Sequence, residues 1–427
     1  MASSKKLNNN SNNKLDVQAT INQWFINKYE ENQNIFIFTF IIIITTIISL
    51  LTMVITNGQS FRFAFFPDEL DIFMDHFNSV VYSSDHPYTK YKVIYPPLIT
   101  LIYEYIGNIT LPYYFNIEST QSLARETRES MMPMLIFIVI VLAMIVACYF
   151  VFRKMSNNLT EKQYNVVFFL LLLSYPVIWG LERGNCIFLS VISIAIFLLG
   201  YTSDNKWIRL ISYIALGVAA GVKIFPALFG ILVLKKKGIY DFIICVIVVT
   251  IMLFGPFVMT DGDIISFLDT VFNYSSETIA TVGYVNINDY LSLIGIGQPI
   301  TLIVNMVTVA IILFIVLIDD NMEPWKETLL LSSLMIITFS VTSSYLFVYL
   351  IIPTIVLLNS EKNLPVNHGL IIILCLAIVF APLPAFSQGQ WYLATIKSIC
   401  IITTLLLVII DSIKTINYHT IIKRLTR

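Results

Sequence analysis

Four carboxylates, Asp68, Glu69, Asp71 and Asp75, crowd into the stretch FPDELDIFMDHFNSVVYSSDHPYTKYKVIYPPL at positions 66–98. The chain holds only 27 acidic residues in 427, so this density is local. A carboxylate beside a reacting hydroxyl takes its proton or orients it. Far along the chain, Arg183 and Lys223 each lie between apolar runs, in Glu182-Arg183-Gly184-Asn185 and Gly221-Val222-Lys223-Ile224-Phe225-Pro226. Cations at the edge of hydrocarbon are costly, and a lipid phosphate is one anion they could neutralise there. Simpler readings compete: a solvated loop helix for the acids, pairing with Glu182 or snorkelling for Arg183, and snorkelling for Lys223. Tyr82, Tyr88, Tyr91, Tyr95, Trp179 and Trp391 suit a sugar ring and a headgroup belt equally. Lone loop histidines such as His76 and His86 are more often structural than general acids or metal ligands.

Composition sets what must position these groups. Hydrophobic residues make up 57% of the chain and charged residues 12%, about half the charged fraction of a soluble domain. This is a polytopic, all-α integral membrane protein. A net charge of -1 without a basic run offers nothing to nucleic acid. The five cysteines sit in or beside apolar runs with no CxxC spacing, so they read as small core residues. No internal repeat is evident. The first apolar run begins only at Ile35, after a polar leader, and is long enough to span, so no cleavable signal is expected.

The expected organisation is a polar cytoplasmic tail (1–33), one transmembrane domain (34–411) and a basic cytoplasmic tail (412–427). Within the domain, extracytoplasmic loops carrying short helices occupy 57–131 and 259–298. Lys5, Lys6, Lys14 and Lys28, then Arg153-Lys154, Lys235-Lys236-Lys237, Lys423 and Arg424 mark the inner face, so both termini lie inside. With that orientation, 95–111 is re-entrant or interfacial rather than a crossing. The runs 207–234 and 327–358 fold back as hairpins near Lys223-Ile224-Phe225-Pro226 and Thr342-Ser343-Ser344. Pro226 can break the first. Counting both hairpins gives about 12 crossings, or about 10 if each run is one tilted helix. The acidic loop, Arg183, Lys223 and the 259–298 loop then share the outer face, with Lys397 near the start of the last span.

Asp71, followed by Pro87-Tyr88 and Tyr95-Pro96-Pro97-Leu98, resembles the "D…PY…YPPL" signature of glycosyltransferase family 87. That family lies in the GT-C superfamily, with the polyprenol-phosphate-mannose-dependent mannosyltransferases. Glu182-Arg183-Gly184-Asn185 is similar to its "RGN/RGQ" turn, and the stretch 219–226 to its "K-x-x-P" turn. Asn286–Leu293 falls in the matching later loop. The resemblance implies a hexosyltransferase using a polyprenyl-phosphate sugar, such as a mannose donor, and a glycan or glycolipid acceptor at the outer face of the cell membrane. It places Asp71 as base, with Asp75 as a second candidate on the same face if the stretch is helical. Arg183 and Lys223 would hold the donor phosphate, and Tyr88, Tyr95 and Asn185 would line the substrate site. No cofactor and no divalent metal are expected, since a monophosphate needs a metal less than a diphosphate does. In the late element, Ser340-Val341-Thr342-Ser343-Ser344-Tyr345 lacks the family's histidine. A polysaccharide polymerase or ligase and a lipid or solute transporter are the alternatives; a transporter should cluster charge at the midplane and show a repeat.

Overall fold

The computed structural model describes residues 33–66, 69–110, 120–260, 263–273, 285–338, 343–360, 368–386 and 391–415. Most of both polar tails, parts of the two long loops, including Asp68, and residues 340–342 of the late element lie outside these ranges. Among the described residues every regular element is helical.

The chain enters on α1 (Gln33–Ile55), an apolar rod whose buried stripe includes Ile35, Phe38 and Ile42. Asn57 and Gly58, both with positive φ, turn it into α2 (Gln59–Phe65). A 3-10 turn (Glu69–Asp71) and α3 (Met74–Ser83) carry the acids, and α4 (Pro97–Thr110) follows. Next come α5 (Thr120–Glu129) and the long apolar α6 (Met131–Met155). A reciprocal Thr160/Gln163 capping box opens α7 (Glu161–Leu172). The chain then bends by 52° into α8 (Tyr175–Arg183), where Pro176 lacks the N–H that would continue the ladder.

α9 (Ile187–Gly200) and α10 (Lys206–Val222) pack side by side. After Lys223 a 3-10 segment (Phe225–Gly230) leads to α11 (Ile231–Lys237). A Cβ on Gly230 would lie 3.7 Å from the Leu216 side chain, so the chain folds back on α10 after Lys223. α12 (Ile239–Phe254), α13 (Ile264–Asn273), α14 (Ile287–Leu293) and α15 (Gln298–Ile318) come next. The second fold-back joins α16 (Pro324–Ile337), through a 3-10 segment (Ser344–Leu350), to α17 (Ile351–Leu358), which packs on α16. α18 (His368–Phe380) and α19 (Trp391–Thr415) close the chain.

Five helical segments are long and apolar enough to cross a bilayer: Gln33–Ile55, Met131–Met155, Ile239–Val258, Ile300–Ile318 and Tyr392–Lys414. The bent α7–α8 pair makes a sixth if it is one span. The remaining crossings in the expected count of about 12 would have to come from shorter arms. Within the first four segments only 17–22% of the apolar window is buried, and the exposed faces carry Ile, Leu, Val and Phe. Such surfaces suit hydrocarbon, so the protein is membrane-embedded. α16 is buried nearly all round and lies in the main core with α9, α17 and α18. The five cysteines are free and buried. At 14 residues α4 falls short of the about 20 a crossing needs.

Candidate active site

Asp71 and Asp75 do not share one helix. Asp71 ends the 3-10 turn, Phe73 has φ 62, and Asp75 lies in the first turn of α3. Three contacts from other elements fix this kinked segment. The Phe73 N–H donates to the Glu182 carbonyl at 2.7 Å. Arg128 on α5 donates through Nη1 to the carbonyls of Leu70 (3.0 Å) and Ile72 (3.1 Å). Gly184 ends α8 with φ 66, and a Cβ there would lie 3.1 Å from both the Phe73 carbonyl oxygen and the His76 Cβ. The glycine of the Arg-Gly-Asn turn is therefore demanded both by its own φ and by the acidic segment pressed against it.

Those contacts aim Arg183 at both acids. Its Nε and Nη2 donate to Asp75 Oδ1 at 3.2 and 2.7 Å, and its Nη1 donates to Asp71 Oδ2. Asn185 Nδ2 donates to the other Asp75 oxygen at 2.7 Å and lies 3.1 Å from the Tyr95 hydroxyl. Asp75 is thus engaged at both oxygens and its side chain is 17% exposed, whereas that of Asp71 is 43% exposed. Asp71 is the more accessible proton acceptor of the two. Arg183, expected on a phosphate, is here committed to carboxylates.

Lys223 follows α10 in an extended conformation and is buried. Its Nζ lies 4.3 Å from the Tyr95 ring centroid and 5.6 Å from that of Tyr345, the geometry of a cation–π enclosure. Among the described residues no carboxylate stands within ion-pair distance of it. Tyr88 is fully buried, with its hydroxyl 3.1 Å from both the Tyr95 carbonyl oxygen and Thr100 Oγ1. It stands behind Tyr95 and supports it. Leu98, from the Tyr-Pro-Pro-Leu segment, packs where a Gly221 side chain would be, 2.6 Å from its Cβ position. The two sequence motifs therefore lock together through a leucine and a glycine.

His76 is buried among the rings of Phe77, Tyr103 and Phe137. Burial lowers its pKa to about 4, so at neutral pH it is uncharged. His86 is exposed beside Asp85. Lys397 is fully buried and donates to the carbonyls of Ile378, Val379 and Ala381 at 2.8, 2.9 and 2.7 Å. All three of its protons cap the end of α18. In the later loop, Asn286 and Asp289 form a capping box at the start of α14, and the bonds between them hold that turn.

A cavity of about 170 Å³ adjoins the acid cluster, bounded by His76, Ile99, Tyr103, Phe137, Asn185 and Leu189. Its walls are apolar except where His76 and Asn185 reach it. Sequence reasoning passed over Tyr345 and Arg128. The signal for Tyr345 was its place at the end of the late element; Arg128 carried none, because its partners are backbone carbonyls.

Against known proteins, no curated sequence and no solved structure matches the chain. A sequence profile does, over residues 127–344. It begins after the acidic loop, so it omits Asp71, Asp75, Tyr88 and Tyr95 and includes Arg183, Asn185, Lys223 and Tyr345. The arginine, asparagine and lysine that surround the acids lie inside a match spanning about half of the sequence, and by that match the chain belongs to glycosyltransferase family 87.

Proposed function

We propose that the protein moves a hexose such as mannose from a polyprenyl-monophosphate donor to a hydroxyl of a glycan or glycolipid. The reaction takes place at the extracytoplasmic face of the cell membrane, on a GT-C-type scaffold of about 12 crossings with both termini cytoplasmic. The observation that carries the reading is a desolvated ammonium, Lys223, boxed by Tyr95 and Tyr345 beside two carboxylates that a single arginine gathers.

The acceptor oxygen attacks the anomeric carbon, the bond from that carbon to the phosphate oxygen breaks, and the phosphate leaves with the electron pair. Asp71 takes the acceptor proton, since its carboxylate is the more open one. Lys223 faces the charge that develops on the leaving phosphate. Direct displacement inverts the sugar. Asp75 and Asn185 hold Arg183 and Tyr95 in place, and Tyr88 backs Tyr95. The apolar cavity between α4 and α6 suits the first units of a prenyl tail. With a monophosphate and a lysine to meet its charge, the reading takes no metal. Sidedness is supported by the hairpin itself: Lys223 lies at its tip, while Lys235-Lys236-Lys237 lie at the far end of its second arm.

The test is transfer by the purified protein from a panel of synthetic polyprenyl-phosphate sugars, alongside Asp71→Asn and Asp75→Asn. Asp71→Asn is expected to lower turnover about a thousandfold with folding intact, within the usual range for losing a general base. Transfer kept by Asp71→Asn and lost by Asp75→Asn would move the base to Asp75. Activity with nucleotide sugars alone would overturn the donor assignment.

A further inference from the structure

We propose that Arg183 holds Asp71 out of use until a lipid-linked phosphate arrives, so that donor binding frees the base and precedes acceptor binding. This rests on the donor reading above.

The two grips of Arg183 are unequal. Asp75 receives Nε and Nη2, and its second oxygen is bonded to Asn185. It is mostly buried and belongs to α3. Asp71 receives Nη1 alone and is 43% exposed. It sits on a three-residue turn that Phe73 separates from α3. Nη1 can therefore change partner while Nε and Nη2 keep the arginine anchored.

An incoming phosphate has reason to take that arm. Tyr345 faces Lys223 and lies within electrostatic range of both Asp75 and Arg183, so an anion drawn to the ammonium arrives beside the guanidinium. Phosphate oxygens match the guanidinium fork well, and a half-exposed carboxylate is the weaker competitor. A carboxylate oxygen occupied by a guanidinium N–H is also not free to meet an acceptor hydroxyl. Exchanging one anion for another at Nη1 keeps Arg183 neutralised and leaves Asp71 open to the acceptor hydroxyl. No bond is made or broken in this step. The acceptor meets a competent base only after the donor is seated, which guards the site against premature acceptor binding.

The experiment is binding of farnesyl phosphate to the full-length protein in lipid nanodiscs, for wild type, Asp71→Asn and Asp75→Asn. Asp71→Asn is expected to bind about five-fold tighter than wild type, because the phosphate no longer has to displace a half-exposed carboxylate. Asp75→Asn removes an equal charge but also the anchor of Arg183, and is expected to bind no tighter. An Asp71→Asn affinity at or below wild type, or equal tightening in both variants, overturns the clamp alone. In unmodified protein, amide exchange across residues 69–72 should quicken when farnesyl phosphate is added; unchanged or slower exchange overturns it independently of any variant. Failure of wild type and Asp71→Asn alike to bind farnesyl phosphate overturns the donor reading, and the clamp with it.

Discussion

The Lys223 ammonium stands 4.3 Å from the centre of the Tyr95 ring, and the Tyr95 hydroxyl lies 3.1 Å from Asn185 Nδ2. One aromatic side chain thus links the cation to the amide that holds Asp75. Lys223→Ala should raise the donor KM about thirtyfold, the scale of one charge-assisted hydrogen bond, and leave the fold intact. Tyr95→Phe keeps the ring and drops the hydroxyl, so its defect should be far smaller. Donor titrations of both variants check this; an unchanged donor KM in Lys223→Ala would remove the lysine from the site.

Gly184→Ala places a methyl 3.1 Å from the Phe73 carbonyl oxygen, at a φ of 66 that side chains disfavour. The left-handed φ and the close contact together should cost about 2–3 kcal/mol of stability. Activity should fall more steeply than stability, because the same contact sets where Asp71 and Asp75 meet Arg183. Thermal unfolding and transfer rates on one preparation separate the two effects.

Burial holds the His76 pKa at about 4, against 6.5 for the free side chain. A histidine kept neutral in the fold contributes stability that is fully present above pH 6.5. That contribution falls as pH drops from 6.5 to 4, where the unfolded chain binds a proton the folded one refuses, and is unchanged below. The loss should reach about 3 kcal/mol. His76→Phe, which suits a site walled by Phe77, Tyr103 and Phe137, should flatten this part of the pH–stability profile.

Lys235 and Glu327 form an ion pair of 2.6 Å, with side chains 0% and 3% exposed. The pair joins the far ends of the two fold-backs, whose turns meet at Lys223 and Tyr345. Glu327→Ala leaves a buried ammonium with only its neighbours' charges and should cost about 3–5 kcal/mol. Melting in detergent measures it. Lys236 also meets Glu327 at 3.2 Å, so Glu327→Asp, which keeps a charge for both lysines, should recover part of the loss.

Much of this was legible in the sequence. Apolar run lengths give the membrane class, and the run 207–234, too long for one short arm and carrying Pro226, folds back so that Gly230 approaches Leu216. The structure brings the Arg-Gly-Asn turn onto the acids and the Lys-x-x-Pro turn against the Tyr95 ring, two stretches whose charges stood out in apolar sequence. Pairings were harder to read. Nothing in the string says that Phe73 adopts a positive φ and splits Asp71 from Asp75, since that conformation is imposed by the Glu182 carbonyl and by Gly184 across the contact. Nor could spacing tell that Arg183 would bind carboxylates, or that Tyr88 would be buried behind Tyr95. The number of crossings is undetermined by length alone, because arms of about a dozen residues are held by packing on α9 and α16.

Those short arms have a consequence for the lipid around them. α9 has 14 residues and α18 has 13, each rising about 20 Å against a hydrocarbon core of about 30 Å. Such a mismatch is met by local thinning of the bilayer or by a water-filled depression in the protein. On the topology proposed above, with these arms crossing and Lys223 at the outer turn, either one would sink that turn below the surrounding headgroup plane. A prenyl phosphate, the donor proposed above, would then slide sideways to the lysine with its tail still among acyl chains, without being lifted out of the membrane to react.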